Sequence, residues 1–96
     1  MMQYKIEITD RAEEEYQAAF WFFEEKQRGL GDKFESEANN LLNHIINRPQ
    51  LFTRKYKQYR EALFKGFPYF IVYEIIHDTI IVHSFFHTSR NPRKKH

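Results

Sequence analysis

Residues 67–76 read FPYFIVYEII, with large apolar side chains at both odd and even positions. A strand built from them offers neither face to water, so it belongs in the middle of a sheet with a neighbour on each edge. Pro68 suits the start of such a strand, where no ladder donor is lost. The rest of the chain has to supply the flanking strands and the layer that covers them. At 96 residues it can build one core and not two, which gives a single domain over 1–96 with a basic tail over 87–96. Phe, Tyr and Trp make up 18% of the residues, so a few large rings can fill that core at little cost in rotamer entropy.

The neighbours can be read from the periodicity. TIIVHSFFH, residues 79–87, is the return strand after a tight His77-Asp78 turn, and KQYREALF, residues 57–64, precedes the central strand with Gly66 as punctuation. Near the N-terminus, QYKIEI (3–8) alternates Tyr4, Ile6 and Ile8 against polar residues, as a half-buried strand does. Two helical patterns follow. Asp10 is placed to cap the first and Glu13 to close a capping box, with Ala12, Tyr16, Ala19, Phe20 and Phe23 on one stripe running to about Arg28. Asp32 and Glu35 repeat the arrangement for the second, whose stripe is Phe34, Ala38, Leu41, Leu42, Ile45 and Ile46 and whose end is Arg48-Pro49. The short link Gly29-Leu30-Gly31 makes the two an antiparallel hairpin. The expected fold is α+β, in the order β-α-α-β-β-β, with the helical hairpin packed on one face of a mostly antiparallel four-stranded sheet. Trp21 points away from the Phe20/Phe23 stripe, so it packs between helices or joins Phe22 in an exposed apolar patch that marks a protein interface.

Composition excludes several classes. There is no cysteine, hence no disulfide framework or thiolate metal site. No apolar run reaches membrane-spanning length and the first ten residues lack the apolar region of a signal peptide, so the expected location is the cytoplasm. Charge is split. Residues 1–50 hold six Lys/Arg against ten Asp/Glu, while residues 51–96 hold nine against three, so a net −4 faces a net +6. A basic C-terminal half suits a polyanion or an acidic protein partner, and it equally suits an acidic helical layer facing a basic sheet.

Geometry narrows the chemistry further. His83 and His87 have the i, i+4 spacing of helical metal ligands, but on a strand they are ~13 Å apart, so no metal site is expected. No nucleophile elbow, phosphate loop or dinucleotide fingerprint occurs. Strand alternation separates Ile80, Val82, Ser84 and Phe86, expected against the helices, from Ile81, His83, Phe85 and His87, expected on the open face. The neighbouring strand brings Lys57, Tyr59, Arg60 and Glu61, with Arg54 and Lys55 just before it. Such a face suits RNA binding and cleavage: histidine to move protons, arginine to hold phosphate, tyrosine to stack on bases.

Taken together, the element order, the arginine-bearing strand YREALF, the Phe-Pro-Tyr start of FPYFIVYEI and the HTSRNP that follows the last strand resemble the RelE/ParE superfamily, the toxins of bacterial type II toxin–antitoxin modules. The resemblance covers nearly the whole chain. The His-x-x-Arg-Asn-Pro ending is more similar to members grouped as ParE or plasmid stabilisation proteins. That resemblance implies a toxin that poisons DNA gyrase, needs no cofactor, and forms a hetero-oligomer with a cognate antitoxin docked at Trp21 and Phe22. RelE-like members instead cut mRNA on the translating ribosome without metal. That alternative would give Arg60 the phosphate, His87 the proton transfer and Arg90 an auxiliary positive charge. On either reading Arg54, Lys55, Lys57, Tyr59, Arg93, Lys94 and Lys95 would contact the target or nucleic acid. The nuclease pattern is incomplete here, because no tyrosine lies beyond Tyr73, and an inactive antitoxin-binding scaffold is a third reading.

Overall fold

The computed structural model describes residues 3–89. Strand β1 (Lys5–Ile8) leads into helices α1 (Asp10–Lys26) and α2 (Leu30–Asn47), followed by β2 (Arg54–Tyr56), β3 (Tyr59–Leu63), β4 (Tyr69–Ile76) and β5 (Thr79–His87). The sheet has five strands in the order β1-β5-β4-β3-β2, and only the β1–β5 pair is parallel. The four strands expected from sequence become five because a short strand, β2, forms ahead of the expected strand 57–64, which itself shortens to β3. Lys57, with φ 53, takes up a left-handed turn conformation, and a separate short strand precedes it. Residues 67–76 do supply the central element: β4 pairs with β3 on one side and β5 on the other.

The helix caps differ from the sequence expectation by one residue in α1 and three in α2. Thr9, not Asp10, caps α1: its hydroxyl accepts from the Ala12 N–H at 3.1 Å. Asp10 and Glu13 instead place negative charge in the first turn, at the positive end of the helix. Asp32 does not cap α2, which begins two residues earlier after Gly29, at φ 90 a position that favours glycine. The Glu24 carboxylate reaches over from α1 and accepts from the N–H groups of Gly29 and Gly31, so one side chain satisfies the start of the next helix. A Cβ on Gly31 would sit 2.9 Å from the Phe20 carbonyl oxygen, which explains why the helical hairpin closes there on a residue without a side chain.

The core lies between the hairpin and one face of the sheet. Phe34 sits at its centre, stacked on Phe64 at 5.0 Å between ring centroids, with Phe23, Phe67 and Tyr69 edge-on or tilted around it. These rings come from both helices, β4 and the segment before it, so the aromatic content ties all layers together. A second, smaller cluster of Phe70, Val72 and Phe86, with Tyr59 packed against it, covers the opposite face.

Tyr73 is fully buried in the main core, and its hydroxyl donates to the Pro49 carbonyl at 2.7 Å. Burial pushes its pKa up from 10.0 to about 12, while nearby Arg60 opposes the shift. The neutral phenol is thus held more tightly in the folded chain than in the unfolded one. Its contribution is complete below pH ~10 and falls away as pH rises towards about 12. Urea denaturation across pH 9–12.5 is expected to show stability declining on that alkaline limb, and Tyr73→Phe, which cannot ionise, should flatten part of the decline. An unchanged slope in Tyr73→Phe would show that this phenol does not control it.

Candidate functional site

Side-chain alternation in β5 breaks once. Val72 of β4 pairs with Ser84, yet the next residue, Tyr73, pairs with Val82, so β5 holds one extra residue, His83. This is a β-bulge. Ile80, Val82 and Phe85 face the helices, and Phe85 lies 5.4 Å from the Tyr16 ring. Phe86 turns to the other face beside Phe70. Phe85 and Phe86 therefore occupy the reverse of their expected sides. His87 follows Phe85 to the helix side, where its ring stands edge-on to buried Tyr69 at 4.9 Å, and its Nδ1 accepts from the Ser89 N–H at 3.1 Å. The expectation that His83 and His87 share the open face is corrected: only His83 is there.

Arg60 is cross-strand partner to Tyr73 and shares its helix-facing side. Its guanidinium donates to the carbonyls of Gln50 (3.1 Å) and Phe52 (2.5 Å), tying the segment after α2 to β3. Tyr69, the partner of His87, and Tyr73, the partner of Arg60, stand four positions apart on β4. At about 3.3 Å per residue this places the two side chains ~13 Å apart along the sheet. The structure does not bring them onto one phosphate. Arg90, Arg93, Lys94 and Lys95 lie outside the described residues.

On the open side, a groove of about 290 Å³ is lined by Arg11, Tyr56, Tyr59, Val72, His83, Ser84 and Phe86. His83 Nε2 lies 2.6 Å from Glu74 Oε2, and the Tyr59 ring stands edge-on to the imidazole at 5.4 Å. Glu74 is 9% exposed, so His83 supplies the partner that a carboxylate this buried requires. At the groove's rim Glu15 of α1 accepts from Ser84 Oγ (2.6 Å) and from the Phe85 N–H (3.1 Å), and Arg11 pairs with its other oxygen at 3.3 Å. Arg54 and Lys55 are exposed on β2, and Lys57 sits in the β2–β3 turn with its ammonium 5.2 Å from the Tyr56 ring. Of this hairpin, Tyr56 and Tyr59 line the groove; Arg54 is cross-strand partner to Arg60 and shares its helix-facing side, and Lys55 lines a separate depression with Glu61, Leu63, Phe70 and Thr88. Among the described residues, no cluster of three or more His, Asp or Glu could hold a metal ion, and no helix is long and apolar enough to cross a membrane.

Reading the sequence missed the Glu74–His83 pair and Glu15. Glu74 carried a signal, as the one charged residue in the otherwise apolar run 67–76. Glu15 carried none, because it bonds residues about 70 positions away. Further along α1, Trp21 is 56% and Phe22 40% exposed. Trp21 leans edge-on against Phe20, and Lys26 lies 4.8 Å from the Phe22 ring. Trp21 therefore belongs to an exposed patch and does not pack between the helices.

A helical hairpin over one face of a mixed five-stranded sheet, with a basic aromatic hairpin at its edge, defines the class structurally. Residues 6–92 match the sequence profile of the ParE toxin of type II toxin–antitoxin system, parDE, and the chain belongs to that family. The fold is similar to a solved chain described as "Chromosomal ParDE TA system from P. aeruginosa", with a TM-score of 0.78 at 8% identity over 88% of this chain and 96% of that one. No curated protein sequence matches the chain significantly.

The Arg60 contacts predict a structural effect. Arg60→Ala strands two carbonyls and should destabilise the fold by about 1–2 kcal/mol in urea denaturation. Both bonds come from the single nitrogen Nη1, so Arg60→Lys, whose ammonium also carries several donors on one nitrogen, should recover part of the loss. A fully stable Arg60→Ala chain would show that these two bonds are dispensable.

Proposed function

We propose that this chain arrests growth by poisoning DNA gyrase and that a cognate antitoxin neutralises it. Family membership supports the toxin role, and the description of the structurally similar chain as a ParDE system supports an antitoxin partner. The observation that carries the choice of target is the dispersal of the expected nuclease set. Arg60 is committed to main-chain carbonyls, and His87 sits on the helix side against Tyr69. Phosphoryl transfer needs its proton-transfer and charge-stabilising groups around one phosphate, and these two are not. On this reading Arg54, Lys55, Lys57 and Tyr59 form the contact surface for the gyrase–DNA complex, joined by Arg93, Lys94 and Lys95. Trp21 and Phe22, with their exposed apolar area, form the antitoxin contact on α1.

One observation favours a second reading. The His83–Glu74 pair lies in a groove flanked by Tyr56 and Tyr59, so a metal-independent ribonuclease would work there through His83, with the aromatic rings on unpaired bases.

Purified gyrase incubated with relaxed or supercoiled plasmid, ATP and this chain distinguishes the two. Accumulation of gyrase-linked, double-strand-broken DNA, reduced by a combined Arg54→Ala/Lys55→Ala/Lys57→Ala variant, is the expected result. Intact gyrase activity together with new cuts inside translated codons, lost in His83→Ala, would overturn it in favour of the ribonuclease. Normal growth on induction without antitoxin would leave an inactive scaffold.

A further inference from the structure

The outer edge of β1 carries backbone groups that no other described residue uses. Lys5 N–H donates to the Asp78 carbonyl and Thr9 N–H to the Val82 carbonyl. With the parallel register Lys5↔Thr79 to Ile8↔Val82, the odd-numbered residues of β1 bond to β5, and Ile6 and Ile8 point their N–H and C=O groups outward. Among the described residues, no strand lies beyond β1 in the sheet. Exposed strand edges of this kind are templates for pairing with another chain.

The side chains make this edge complementary to itself. Lys5 and Glu7 lie on the open side of the sheet, since their partners are Thr79 and Ile81. Tyr4, Ile6 and Ile8 lie on the helix side, where Ile6 packs partly against the core and Ile8 remains 40% exposed. When two β1 strands run antiparallel with Ile6 opposite Ile6, the outward groups of Tyr4, Ile6 and Ile8 meet as hydrogen-bonded pairs. Lys5 then stands directly opposite Glu7 of the second copy, and Glu7 opposite its Lys5. On the other face Ile8 meets Tyr4. Shifting the register by two residues opposes Lys5 to Lys5 or Glu7 to Glu7, and like charges directly opposite are unfavourable. A lone edge lysine would guard the strand against pairing, whereas lysine and glutamate two residues apart select one two-fold arrangement.

We propose that two copies of this chain associate through β1, antiparallel and centred on Ile6, to form one continuous ten-stranded sheet. Both copies keep their helices on the same side of that sheet, and the β2–β3 hairpins with their basic residues lie at its two far ends. The two toxins would therefore present their target-contacting hairpins at opposite extremes of one rigid body.

Sedimentation equilibrium of the purified full-length chain tests this, together with amide exchange at Ile6 and Ile8. A concentration-dependent monomer–dimer equilibrium is expected, with exchange at those two amides slowing as the dimer fills. Lys5→Glu creates two like-charge pairs per dimer and should raise Kd by roughly tenfold. The exchanged pair Lys5→Glu/Glu7→Lys should restore it, a result that a merely structural role for either exposed side chain would not produce. Ile6→Pro should abolish the dimer while leaving the β1–β5 ladder intact, because the Ile6 N–H is not used there. A chain that remains monomeric at ~1 mM, a dimer indifferent to Lys5→Glu, or protection of Ile6 and Ile8 only on adding an antitoxin would each overturn the proposal.

Discussion

Between Val82 and Phe85 the ladder of β5 with β4 takes in one residue more on β5, and as a result Val82 and Phe85 both reach the helices. The core depends on that step. Without it Phe85 would turn away from Tyr16 and Phe64, and the aromatic layer under the hairpin would lose a ring. The extra residue is held from outside the sheet. β1 ends at Ile8, so among the described residues no strand neighbours that edge of β5 beyond Val82, and Glu15 takes the place of one by accepting from Ser84 Oγ and the Phe85 N–H. A carboxylate on a helix thus fixes the register of a strand, and that register decides which histidine faces which side.

The larger architecture was legible in the sequence because it rests on periodicity and punctuation. The central strand 67–76, the two amphipathic helices and the glycine link between them all express local rules. What could not be read has a common physical origin in contacts distant in sequence. Lys57 gave no sign that it would take φ 53 and turn the chain between β2 and β3, since lysine has no special preference for that region. The bulge at His83 leaves the apolar pattern of TIIVHSFFH looking like plain alternation, although the pattern changes phase halfway along. The sides of Ser84, Phe85, Phe86 and His87 are all the reverse of their expected ones for that one reason. His83 was placed on the correct face because it lies before the phase change, but its partner Glu74 was not foreseen.

Arginine illustrates how a residue type can suggest chemistry that packing then denies. In sequence, Arg60 on YREALF is a plausible phosphate ligand. In the fold its partner across the ladder is Tyr73, and the two side chains together secure the turn after α2: the phenol bonds the Pro49 carbonyl, and the guanidinium bonds those of Gln50 and Phe52. That turn contains an irregular main chain passing over the core, where carbonyls without donors would be costly. One terminal nitrogen of Arg60, Nη1, carries two N–H groups and so serves both carbonyls.

The similarity to the P. aeruginosa ParDE chain, a TM-score of 0.78 at 8% identity, sets a limit on carrying site residues across by position. A core of this type asks its residues to be apolar, of roughly the right volume and correctly phased, and many sequences satisfy that demand. The surface obeys no such demand, so the shared fold fixes where strands and helices lie while leaving the exposed side chains free to differ. A one-residue bulge compounds this, because aligned positions on either side of it can point to opposite faces. The basic and aromatic side chains that this chain presents on its β2–β3 hairpin are therefore better guides to its target than any position borrowed from a relative.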